Sequence, residues 1–164
     1  MKEFSHSCIG IGVCIALIVF LVNATVPHTV YGQEVLRGLD LSQVGFVLQV
    51  KGQYREGLEK RAFKQFGDAG LKLGTMDMFP RVELSLEQEE LENCKGRVIY
   101  QPKLELLEEV ALVRSGHKRI AITWFYGQKL GYETNQLSLA DLQREQGEML
   151  KVFIDQYKFL NPKK

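Results

Sequence analysis

Val44, Phe46, Leu48 and Val50 alternate with Gly45, Val47, Gln49 and Lys51, a period of two that lays one apolar row along a strand face. From about Arg55 the period changes. Leu58, Ala62, Phe63, Phe66 and Ala69 then fall on one helical side, with Glu59, Lys60, Arg61, Lys64 and Gln65 on the other. Gly70 supplies the helix stop, because glycine enters the left-handed conformation without a side-chain clash. Leu71 to Met78 reads as extended, but Gly74 and Pro80 interrupt it and predict an edge or a kink. Val82, Leu84 and Leu86 alternate with Arg81, Glu83, Ser85 and Glu87, a strand with one dry and one wet face that ends at the polar segment Gln88 to Gly96.

Val98 to Arg114 is the longest extended stretch, with Leu104, Leu106, Val110 and Leu112 on one parity and Leu107, Ala111 and Val113 on the other. Ser115 to Lys118 reads as a turn, after which Ile120, Ile122, Trp124 and Tyr126 alternate with Ala121, Thr123 and Phe125. This pattern predicts an antiparallel hairpin. Ser138 caps a last helix, with Asp141 at the positive end of its dipole, and Asn161 with Pro162 ends it. Leu142, Met149, Leu150, Phe153, Ile154, Tyr157 and Leu160 supply its apolar side. The order β-α-β-β-β-α predicts a two-layer α+β sandwich, an about four-stranded, mainly antiparallel sheet with both helices on one face.

The uncharged run Cys8 to Val22 precedes all of this and follows a short leader carrying Lys2. It is shorter than the roughly 20 apolar residues that cross a bilayer and matches a signal-peptide apolar region. Small residues fit cleavage after Ala24 or after Gly32, and the second leaves Gln33 at the mature start. The expected organisation is a signal at 1–32 and one domain at 33–164, exported to the periplasm or secreted. The alternative is an uncleaved anchor over residues 4–26, which would be the protein's contact with a membrane.

The formal charge of +1 is evenly spread and gives no footprint for nucleic acid. Cys94 is the one cysteine beyond the leader, so an internal disulfide is excluded from the domain, and its polar neighbours predict an exposed or half-exposed thiol. His6 and His28 flank the apolar run and His117 sits in the hairpin turn, which offers no convergent metal set, and no phosphate loop, nucleophile elbow or dinucleotide fingerprint occurs. No cofactor and no catalytic residue is expected. Glu105, Glu108 and Glu109 read as a solvated charged face beside many lysines and arginines.

Consecutive aromatic residues at Trp124, Phe125 and Tyr126 point to both faces of a sheet. One reading packs Trp124 and Tyr126 under the helices and covers Phe125 with the Gly127 to Leu137 segment. The other joins Phe125 with Leu107, Val113, Val47 and Ala111 into an apolar interaction face on the helix-free side, for a protein partner or self-association. A different class of function, a small-molecule binding domain or hydrolase, would use a cleft lined by Trp124, Tyr126, Tyr132 and one or more acidic residues.

Ala69-Gly70-Leu71, the run Glu105 to Arg114, Ile122-Thr123-Trp124 and the closing Phe153-Ile154-Asp155-Gln156-Tyr157 with Asn161-Pro162-Lys163 carry a family resemblance. Over most of the domain the chain resembles a group of small, uncharacterised exported bacterial proteins that have a signal, one α+β domain and no established activity. The resemblance implies bacterial origin, fold and export. The element order is also similar to that of small envelope-assembly domains, an analogy of architecture.

Overall fold

The computed structural model describes residues 29–51, 54–74, 79–92, 94–128 and 130–162. The apolar run and the cleavage position after Ala24 lie outside the described residues. The chain forms β1 (Thr29–Tyr31), β2 (Gly45–Gln49), α1 (Arg55–Asp68), β3 (Arg81–Ser85), β4 (Gln88–Glu90), β5 (Arg97–Tyr100), β6 (Lys103–Ala111), β7 (Lys118–Gly127), β8 (Tyr132–Asn135) and α2 (Leu139–Leu160). Two short 3-10 helices, Gln33–Leu36 and Leu41–Gln43, lie between β1 and β2.

The fold is α+β, with the strands in two sheets. A five-stranded sheet has the order β1-β7-β6-β3-β2, and a three-stranded sheet has the order β4-β5-β8. β2 and β3 are parallel across α1, and the other pairs are antiparallel. The expected hairpin is β6 and β7, closed by bonds from Ser115 and Gly116 N–H groups to the Leu112 carbonyl. The expected long stretch from Val98 divides into β5 and β6 at Pro102, which has no N–H for a ladder bond. β4 and β8 fall in segments whose polar composition reads as loop, and they are strands because β5 pairs with both.

Both helices cover one face of the larger sheet. α1 turns Leu58, Ala62 and Phe66 inward and ends in a Schellman motif, with Gly70 (φ 72°) N–H bonded to the Gly67 carbonyl and Leu71 N–H to the Phe66 carbonyl. Aromatic rings link the layers: Phe46 lies 5.9 Å from Phe66, Phe66 lies 6.1 Å from Phe153, and Phe153 stands edge-on to Trp124 at 5.2 Å. α2 opens with a reciprocal Ser138 and Asp141 capping box. Its buried Gln146 donates from Nε2 to the Leu58 carbonyl at 2.6 Å, and Gln65 of α1 returns a bond to the Gly147 carbonyl at 2.9 Å. Among the described residues no helix is long and apolar enough to cross a membrane.

β1 pairs Thr29, Val30 and Tyr31 with Gly127, Tyr126 and Phe125. A chain beginning at Gln33 therefore lacks a strand that one beginning at Thr25 keeps. Gly32 (φ 70°) then passes so close to β7 that an added Cβ would lie 1.9 Å from the Thr123 carbonyl oxygen. Gly38 has a similar φ of 73° with nothing within 4 Å of such a Cβ. Gly38→Ala thus measures the cost of conformation alone, and Gly32→Ala adds a backbone collision. We expect Gly32→Ala to cost about 3 kcal/mol or more, roughly 10 °C in melting temperature, and Gly38→Ala about 1 kcal/mol. Equal losses in thermal unfolding would show that the close approach at Thr123 constrains nothing.

The capping box sets an acid limb of stability. The Ser138 hydroxyl, then its backbone N–H, donates to Asp141 and holds that carboxyl below its ordinary 3.8. The stability this supplies is complete above about pH 4 and is lost as pH falls through the depressed value. Asp141→Asn is expected to flatten that part of the stability-against-pH curve, and an unchanged slope in acid unfolding curves would refute the assignment.

Candidate functional site

One cross-strand row crosses the helix-free face of the larger sheet: Val47, Glu83, Glu105, Phe125 and Tyr31, each opposite the next in register. Its centre is charged, not the continuous apolar patch expected. Glu83 and Glu105 are only 7% and 6% exposed, which corrects the reading of Glu83 on a wet strand face and of Glu105 as solvated. The reason is local compensation. Arg81 and Lys103 stand two residues before each carboxylate on the same face, Arg81 ion-paired to Glu83 and Lys103 3.2 Å from Glu105. Gln49 also donates to Glu83 at 3.0 Å, and the Arg81 guanidinium lies over the Phe79 ring at 4.5 Å. Two carboxylates facing each other on adjacent strands repel, so these cations are what permits the row.

The expected interaction residues are divided by this arrangement. Val47 is half-buried beside Glu83 and separated from Phe125 by both carboxylates. Phe125 is half-buried, with its ring 6.1 Å from Tyr31. Leu107 is half-buried opposite Ile122, Ala111 is exposed opposite Lys118, and Val113 is fully exposed in the turn, off the sheet face. The Gly127 to Leu137 segment runs into β8 of the smaller sheet.

The sequence pattern missed the largest apolar contribution to this face. Register along the hairpin places Leu106 opposite Trp124 but Leu107 opposite Ile122, so Thr123 is an extra residue in β7. Its hydroxyl donates to the Leu106 carbonyl at 3.3 Å. Strict alternation would set Ile120 and Ile122 under the helices with Trp124. The bulge instead turns them to the helix-free side with Leu107, where they are 47% and 54% exposed. Bulges carry no period of their own, and the one available signal was Gly32, the glycine that fits against Thr123.

The cleft reading loses its leading residue. Trp124 is wholly buried, its indole N–H donating to Gln156 Oε1 at 3.1 Å. Tyr126 packs on the core, and half-buried Tyr132 stands edge-on to Tyr100 at 5.8 Å. Burial first, then the Glu145 charge, raises the Tyr100 and Tyr132 phenols above their ordinary 10.0, so both stay neutral at physiological pH. An open groove of about 240 Å³ lies where the two sheets meet, lined in part by Gln49, Ser85, Gln88, Gln101 and Lys103. Its amides already serve the fold: Gln88 accepts from Leu137 N–H at 2.6 Å and Gln101 donates to the Gln128 carbonyl at 3.3 Å. Cys94 is half-exposed, His117 is exposed in its turn, and among the described residues no three acidic, histidine or cysteine side chains gather as a metal set.

No family model and no curated protein matches this chain. Among solved structures it is similar to a dodecamer of a PelC point variant from Paraburkholderia phytofirmans, at 17% identity over 76% of this chain and 95% of that one, with a TM-score of 0.37.

The charged row generates a stability test. Glu83→Ala leaves Arg81 and the Gln49 amide without their acceptor at a nearly buried position and is expected to cost about 2 kcal/mol in denaturant unfolding. A loss under about 0.5 kcal/mol would mean that Glu83 does not organise this face.

Proposed function

We propose that this protein is an exported cell-envelope module that acts by binding protein through the helix-free sheet face, without chemistry of its own. The observation that carries the reading is the outward rotation of Ile120 and Ile122 by the bulge at Thr123, which gathers them with Leu107 on an open face. Exposed apolar side chains rimmed by charge are what a partner desolvates on docking, and here Arg81, Glu109 and Lys118 supply the rim. Export rests on the uncharged run Cys8 to Val22 and on the family resemblance.

The test is recovery of envelope proteins by the tagged full chain and by its Ile120→Lys/Ile122→Lys variant. Loss of two central apolar contacts, at about 2 kcal/mol or more together, is expected to reduce recovery of a specific partner at least about tenfold. Equal recovery by both chains, with the variant shown to be folded by circular dichroism, would sink the reading.

A further inference from the structure

The two cleavage positions that the leader offers cease to be equivalent once β1 is in place. Cleavage after Gly32 removes Thr29, Val30 and Tyr31, the strand that pairs with Gly127, Tyr126 and Phe125. It also removes the Tyr31 ring, 6.1 Å from Phe125, and the Gly32 carbonyl, which accepts from Val35 N–H at 3.0 Å at the start of the 3-10 helix Gln33–Leu36. That helix is tied to the core by Leu36, which is wholly buried. It is tied to α2 by Asn161, which donates to the Leu36 carbonyl at 2.7 Å and accepts from Gly38 N–H at 2.6 Å. The stretch from Thr29 to Leu39 is thus one continuous piece of the domain, and the Gly32–Gln33 bond lies inside it.

A peptidase needs extended, reachable backbone on both sides of the bond it cuts. Gly32 meets neither need, because its φ of 70° is left-handed and an added Cβ would lie 1.9 Å from the Thr123 carbonyl oxygen. Once β1 has joined β7, the Gly32–Gln33 bond is closed to attack. The Ala24–Thr25 bond is separated from β1 by Thr25, Val26, Pro27 and His28 and does not share that contact. Loss of β1 has a further consequence for the sheet. β1 covers the outer edge of β7 from Phe125 to Gly127, and its removal opens that edge as a template for another strand.

We propose that the leader is cut between Ala24 and Thr25, so that β1 is the first strand of the mature chain. The proposal rests on the export reading above. The step is hydrolysis by a signal peptidase with water as co-reactant. The water oxygen adds to the Ala24 carbonyl carbon, the C–N bond to Thr25 breaks, and a proton passes to the Thr25 nitrogen, leaving a carboxylate on the leader and an ammonium on the mature chain. Val22 and Ala24 fit the requirement for small residues before the bond. Gly32 fits it too, but its lack of a side chain has a separate cause in the contact with Thr123. The start of the domain therefore moves from Gln33, as the sequence pattern suggests, to Thr25.

The test is the N-terminal sequence and intact mass of the full chain, expressed with a C-terminal tag in a bacterial host and recovered from its envelope and medium. A mature chain beginning at Thr25 is expected. Thr25→Pro sets a proline directly after the bond, fixing the backbone there and removing its N–H, and is expected to lower the processed fraction at least about tenfold. Gln33→Pro does the same at the other bond and is expected to leave processing within about twofold of the parent. Gln33 is exposed at the first position of its helix, where proline is accepted, so this variant keeps the fold. A chain beginning at Gln33 or at any residue other than Thr25, processing unchanged by Thr25→Pro, or processing lost in Gln33→Pro overturns the proposal. An uncut chain in the membrane fraction with its domain outside the cytoplasm overturns it while leaving the export reading intact. An uncut chain in the cytoplasm removes both.

Discussion

The apolar part of the helix-free side is organised around one backbone contact, the passage of Gly32 against the Thr123 carbonyl. Only a hydrogen fits there, so the chain leaving β1 presses on β7 where β7 holds one residue too many for its partner β6. On one side of that residue Trp124 is fixed in the core by Phe153 and Gln156, and on the other Ile122 is released to the opposite face. A regular strand would have buried three apolar residues in a row beneath the helices. The irregular one buries a tryptophan and exposes two isoleucines.

The charged row is a different kind of constraint. Buried ion pairs add little net stability, because desolvation offsets most of their attraction, but removal of one member leaves a costly orphan. Glu83 and Glu105 are consequently better understood as fixing strand register than as strengthening the sheet. A slip of one residue by β6 against β3 would turn Glu105 to the helix-covered face and send Leu104 and Leu106 outward. The apolar and polar patterns therefore enforce the same pairing from opposite faces.

Periodicity makes legible whatever repeats: both helices, their caps at Ser138 and Gly70, the strands around Phe46 and Leu84, and the hairpin turn at Ser115 to Lys118. It fails where tertiary context decides. Gln88–Glu90 and Tyr132–Asn135 are polar segments that become strands because Arg97–Tyr100 offers them a ladder, and Gln101 and Pro102 separate that ladder from the larger sheet. Of the candidate face, Phe125, Leu107 and Val47 lie on the helix-free side as parity requires, while Val113 runs past the end of its strand. Ile120 and Ile122 are unreadable in principle from alternation, since a single inserted residue reverses every side chain beyond it.

β1 also bears on how far the domain stands from any surface to which its leader holds it. If residues 4–26 are kept as an anchor, Pro27 and His28 are the entire link to Thr29, and the span from Val26 to Thr29 is at most about 10 Å even when extended. The N-terminal end of β1 would then stay within that distance of the lipid headgroups, and collisions with neighbours would be confined to two dimensions, where weak contacts are raised by proximity alone.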